Sequence, residues 1–162
     1  FCIAGEEKLS YTHDQQDDLM HDLITLGIKT CSENHGFIAQ DSDRVERLFN
    51  AVAHDNYGLL VDIGNFLCAD EDPAMAVSRV APYAVHVHLK DMLYRSAPTG
   101  ACRNMTRGGN YFCGTVVGEG DVPVKQCLRI IRAQLRQTPP PAHAQSCNAI
   151  QIVVYRSVGY WL

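Results

Sequence analysis

Residues 58–91, "GLLVDIGNFLCADEDPAMAVSRVAPYAVHVHLKD", decide how the chain is read. The stretch opens with an apolar run that ends in Asp62 and closes with a second apolar run carrying His86 and His88. Between them Asp72 and Pro73 mark a helix start, because an aspartate caps exposed amides and a proline suits the first helical position. Two short apolar runs joined through one helix read as a βαβ unit, whose strands lie parallel with a right-handed crossover. A carboxylate and an imidazole at the ends of such strands are costly beside a core unless something there needs them.

The same alternation extends outward. "FCIAG" (1–5) reads as a buried strand, and 12–27 as a helix with a Thr12/Gln15 capping box and Gly27 at its stop. A strand over 28–33 runs into "ENHG" (33–36). The helix after it, 41–54, repeats Val45, Leu48, Phe49 and Val52 at helical spacing, with Asp41 or Ser42 as its cap. Beyond "AVHVHLKD" (84–91) the long segment 92–120 reads as a lid or binding loop, followed by a helix over 122–136. Strands alternating with helices predict an α/β fold, as a barrel or an open doubly wound sheet. In both, ligands collect at the C-terminal ends of the strands, where Glu33, Asp62 and His88 fall.

At 162 residues, 46% apolar and 20% charged, the chain has enough material for one core, so it is one domain or a piece of one. A net charge of −4 without a basic stripe argues against nucleic acid as partner and for a small solute. No apolar run approaches the roughly 18 residues of a membrane span, and "FCIAGEEK" lacks the features of a signal peptide, so a cytoplasmic location is expected. Seven cysteines with no CxxC pair lead to the expectation of reduced thiols, Cys102 and Cys113 among them. "GGN" (108–110) and "GEG" (118–120) match no phosphate-binding fingerprint.

Two carboxylates and an imidazole form a partial shell for Mn²⁺, Mg²⁺, Co²⁺ or Zn²⁺. His86, two residues before His88, faces the same side of its strand and reads as a support for His88 or as filler of a barrel interior. Each residue taken alone has a plainer role: Glu33 capping a loop, Asp62 fixing a turn, His88 satisfied in a core. Their recurrence at three successive strand ends is what joins them.

"ENHG", "LLVDIGNF" and "VHVHLKD", in that order and followed by "GEGDVPVKQCLRII" (118–131), resemble the sugar phosphate isomerase/epimerase family of xylose isomerase-like TIM barrels, over residues 1–133. The resemblance implies a partial (β/α)8 barrel covering about strands 4 to 8. It also implies one divalent metal held by Glu33, Asp62 and His88, with Glu33 as catalytic acid/base. By the same resemblance Asn65 lies near the substrate and His35 and Lys90 line the mouth. Arg95, Arg103 and Arg107 on the long segment are candidates for phosphate or hydroxyl contacts, the plainer reading of each being a charge on a solvated loop. The implied activity is isomerisation or epimerisation of a sugar, sugar phosphate or related polyol by enediolate proton transfer.

Two departures stand out. A complete barrel runs to roughly 250 residues, so the chain is expected to supply only its later strands and to begin inside the fold. The family's second metal-binding Glu belongs on the last strand, yet "IQIVVYRSVGYW" (150–161) holds no acid. Residues 134–162 contain neither Asp nor Glu and are expected to form a divergent, Pro-containing tail, as a frame change would produce. A competing expectation is therefore a non-catalytic barrel fragment, homo-oligomeric because half a barrel leaves open sheet edges. A third is an endonuclease-like metal phosphodiesterase, which calls for more histidines and a basic groove.

Overall fold

The computed structural model describes residues 22–23, 25–137 and 151–154. The expected strand 1–5 and the Thr12/Gln15 box lie outside them, as do residues 138–150 and 155–162 of the expected tail. Where the description begins, Gly27 sits in the left-handed region (φ 75°). There the amide of Ile28 reaches back to the carbonyl of Leu23 at 2.9 Å, the helix stop that a glycine at this place allows.

The apolar runs become strands β1 (Thr30–Glu33), β2 (Tyr57–Asp62) and β3 (Ala84–Leu89), with helix α1 (Ser42–Val52) after β1 and helices α2 (Asn65–Cys68) and α3 (Pro73–Val80) after β2. A 3-10 turn, Ala81–Tyr83, feeds β3 directly from α3. Asp41 caps α1 by accepting the Arg44 amide at 3.0 Å, and Asp72 caps α3 by accepting that of Met75 at 2.9 Å. Beyond β3 come β4 (Asp91–Arg95), β5 (Asn104–Met105), β6 (Tyr111–Thr115), helix α4 (Val124–Gln137) and β7 (Gln151–Val154).

One sheet has the order β1-β2-β3-β7, and every pairing in it is parallel. The expected last strand thus joins the sheet beside β3, with His88 in register with Val153. Successive residues of a strand face opposite ways. Leu59, Val61, Val87 and Leu89 accordingly enter the core beneath the helices, together with Val45 and Phe49 of α1, Val77 and Val80 of α3, and Cys127 and Ile131 of α4. Phe49 stacks on Tyr83 with ring centroids 4.4 Å apart, which locks α1 against the turn leading to β3. The opposite parity, Glu33, Leu60, Asp62, His86 and His88, faces the concave side of the open sheet, the interior of a partial barrel.

The segment 92–120 corrects the sequence reading. It is not a bare loop but, with Asp91, an antiparallel sheet of order β4-β6-β5. Asp70, itself in the left-handed region at φ 58°, anchors the hairpin from outside by accepting bonds from the Tyr94 hydroxyl (2.6 Å), the Thr106 hydroxyl (2.7 Å), the Asn110 amide (2.9 Å) and the Gly108 backbone. Asp91 does the same for the return chain: its carboxylate, 1% exposed, receives the amides of Gly118 (2.8 Å), Gly120 (2.9 Å) and Val122 (3.1 Å). "GEG" is therefore a cradle for an internal carboxylate. Gly120 is required there, because a Cβ would lie 2.1 Å from Asp91 Oδ1.

The expectation of free thiols at Cys102 and Cys113 is also corrected. These residues flank the β5–β6 pairing, one position out of its register, with Cα atoms 4.5 Å apart, and they form a disulfide. Among the described residues Cys31, Cys68 and Cys127 are not disulfide-bonded.

Candidate metal centre

Glu33 ends β1, Asp62 ends β2, and His88 lies in register with Asp62 on β3. One potential ligand atom from each lies within 4.8 Å of the others. His88 Nδ1 is 3.5 Å from Glu33 Oε1 and 3.9 Å from Asp62 Oδ2. Three strand ends brought side by side by parallel pairing thus gather the residues that the sequence placed far apart.

The backbone around Asp62 is held by its neighbour across the sheet. Asn34, one residue past β1, accepts the Asp62 amide at 2.7 Å and donates to the Asp62 carbonyl at 2.9 Å. The Oδ1 atom of Asp62 accepts the Gly64 amide at 2.9 Å and the Asn65 amide at 3.3 Å, which fixes the rotamer. Oδ2 is then turned toward the concave side. It is buried, lies 2.8 Å from the Lys90 ammonium, and receives no aligned hydrogen bond.

Burial raises the pKa of Asp62, the Glu33 charge pushes the same way, and Lys90 and the Gly64 amide oppose them. Burial also works against ionisation of Glu33, but His88, Lys90 and His35 outweigh it and hold its carboxyl below the usual value. Two carboxylates here face one ammonium. A buried carboxylate oxygen that the backbone amides leave to the Lys90 ammonium, beside a second carboxylate and an imidazole nitrogen, is a donor set that suits a hard or borderline divalent cation.

The remaining expected residues divide. Asn65, 3% exposed, donates to Glu33 Oε1 at 3.3 Å and accepts from Lys90 Nζ at 3.0 Å, so both residues belong to the cluster. His35 is exposed beside Glu33, and His86 meets His88 edge-on with ring centroids 5.0 Å apart. The arginines are bound within the fold. Arg95 pairs with Asp121 at 2.7 Å, Arg107 with Asp41 at 2.6 Å, and Arg103 donates to the Gly100 carbonyl at 3.1 Å. Asn34 was not foreseen, because an amide that serves a neighbouring backbone leaves no periodic trace in sequence.

The model of the xylose isomerase-like TIM barrel family matches residues 17–135. The chain belongs to that family. A curated relative, the uncharacterized protein YihM of Escherichia coli (strain K12), is 28% identical over 121 residues, which is 74% of this chain and 28% of that protein. Among solved structures, a xylose isomerase domain protein from Planctomyces limnophilus superposes with a TM-score of 0.59 at 20% identity, over 91% of this chain and 47% of that one. A xylose isomerase-like TIM barrel protein from Mycobacterium smegmatis, in complex with magnesium, gives 0.58 at 16% identity, over 90% and 46%. The probable 3-DHS dehydratase AsbF of Bacillus anthracis, involved in petrobactin synthesis, gives 0.55 at 13% identity, over 90% and 52%. These likenesses establish the fold of the barrel family. The chain spans about half the length of the solved relatives. No described helix is long and apolar enough to cross a membrane.

Proposed function

We propose that this part of the barrel carries the metal-binding half of an isomerase or epimerase acting on a sugar, sugar phosphate or related polyol. The observation that carries the reading is the convergence of Glu33, Asp62 and His88 within 4.8 Å at three adjacent strand ends. Those residues would hold one divalent ion, Mn²⁺, Mg²⁺, Co²⁺ or Zn²⁺, and the magnesium complex of a structural relative is in keeping with this. When bound, the ion supplies Lewis-acid stabilisation of the enediolate formed next to a substrate carbonyl.

The chain's own residues supply the rest. Glu33, whose carboxyl is held below its usual value against the opposing effect of burial, takes the proton from the carbon beside the carbonyl and returns it. Asn65 orients Glu33 through its amide, Lys90 adds positive charge toward developing oxyanions, and His35 lines the exposed rim. Arg95 would reach a phosphate or hydroxyl only by leaving Asp121.

Deuterium exchange tests the reading with the chemistry that one carboxylate can perform. A panel of ketoses and inosose-type polyols is incubated with the Mn²⁺-loaded chain in D2O and followed by NMR. Deuterium entry beside the carbonyl, abolished by Glu33→Gln, supports it. Absence of exchange across the panel favours the second reading, a non-catalytic barrel fragment. That alternative draws on the four strands paired in the parallel sheet among the described residues and on the lack of an acid in Gln151–Val154.

A further inference from the structure

Lys90 is the unusual member of the cluster. Its side chain is 7% exposed, its ammonium lies 2.8 Å from Asp62 Oδ2, and it donates to Asn65 Oδ1 at 3.0 Å. Its charge also reaches Glu33 and the Cys68 thiol. The oxygen it faces, Asp62 Oδ2, is the one that the Gly64 and Asn65 amides leave open for a cation. A lysine and a divalent ion are thus directed at the same atom.

We propose that Lys90 is a positioning residue that competes with the divalent cation for Asp62 and thereby sets the metal affinity of the site. The inference rests on the metal reading above. Like charges a few ångströms apart in a poorly solvated site repel strongly, so any ion on Asp62 must displace the ammonium or tolerate it. Displacement is feasible because Lys90 has a flexible stem and a second acceptor already in place, Asn65 Oδ1. Its backbone stays put, since the chain at Gly64 packs so closely that a Cβ there would lie 2.8 Å from the Lys90 carbonyl oxygen. Metal entry then leaves an ammonium inside the site, released from Asp62 and close to Glu33. The arrangement makes weak, exchangeable metal binding the normal state of the chain.

Calorimetric titration of Mn²⁺ into metal-stripped wild type, Lys90→Met, Lys90→Gln and Lys90→Arg decides the matter. Removing the charge in the Met and Gln variants should tighten binding by about tenfold or more. Lys90→Arg, which keeps the charge, should stay within about threefold of wild type. A purely structural lysine would give the opposite order, with Met and Gln binding more weakly. Equal or weaker binding by both, with wild type binding measurably, overturns the proposal and leaves the metal reading intact. No binding by any of the four overturns both. If Lys90→Met fails to fold, Lys90→Gln carries the comparison, and the rise in Tm on adding Mn²⁺ should exceed that of wild type.

Discussion

The side chain of Asn34 bonds both the amide and the carbonyl of Asp62, at 2.7 and 2.9 Å. It continues the β1–β2 ladder past the end of β1, where the Asn34 amide still reaches the Leu60 carbonyl at 3.4 Å. A side-chain amide is suited to this because it copies the donor and acceptor of a peptide. Asn34 is 1% exposed, so neither bond can be replaced by bulk water. Asn34→Ala should lower stability by about 2–4 kcal/mol in urea unfolding, through two unsatisfied buried groups. Asn34→Asp keeps the acceptor but sets a buried carboxylate oxygen against the Asp62 carbonyl, so at pH 7 it should lose at least as much. Equal stability of wild type and Asn34→Ala would show that the clip carries no load.

Gly64 is constrained by proximity. A Cβ there would lie 2.8 Å from the carbonyl oxygen of Lys90 and 3.1 Å from its Cβ. Gly64→Ala should therefore push the end of β3 away from β2, destabilise by about 1–3 kcal/mol and weaken Mn²⁺ binding as His88 moves. A folded, fully metal-competent Gly64→Ala chain would contradict this.

Asp70 gives a pH signature away from the metal cluster. Burial works against its ionisation, but donation from Tyr94, Asn110, Thr106 and the Gly108 amide holds its carboxyl below the ordinary 3.8. A carboxyl lowered in the folded state adds stability above its unfolded value and loses it as pH falls through the folded one. Asp70→Asn should thus lower Tm at pH 7, with the gap to wild type closing from about pH 4 downward. Tyr94, pushed up to about 12 chiefly by its bond to Asp70, should ionise at lower pH in the variant. A gap independent of pH would refute the assignment.

The Cys102–Cys113 bridge predicts a labelling pattern. An alkylating reagent applied to the unfolded, unreduced chain should leave these two cysteines unmodified and reach them only after reduction. Peptide mapping that finds either one alkylated without reductant would remove the bridge.

The parts of the fold legible in sequence were those governed by local rules. Asp72 before Pro73 announced α3, the spacing of Val45 and Phe49 gave α1, and the runs ending at Glu33, Asp62 and Leu89 gave three adjacent parallel strands. The metal-binding candidates could be read because parallel pairing places strand ends side by side whatever the helices between them. What escaped was set by contacts across the chain. Segment 92–120 hides its sheet in short, half-buried strands. Its one local cue was the Gly108–Gly109 pair between β5 and β6, a hairpin signal. Asn34, Asp70 and Asp91 were invisible for a single reason: each is a polar side chain whose partners lie dozens of residues away or are backbone amides.

If Glu33, Asp62 and His88 form one cation site, isothermal titration of Mn²⁺ into the metal-stripped chain should give saturable one-to-one binding that Asp62→Ala/His88→Ala abolishes. Indistinguishable heats from the two proteins would rule the site out.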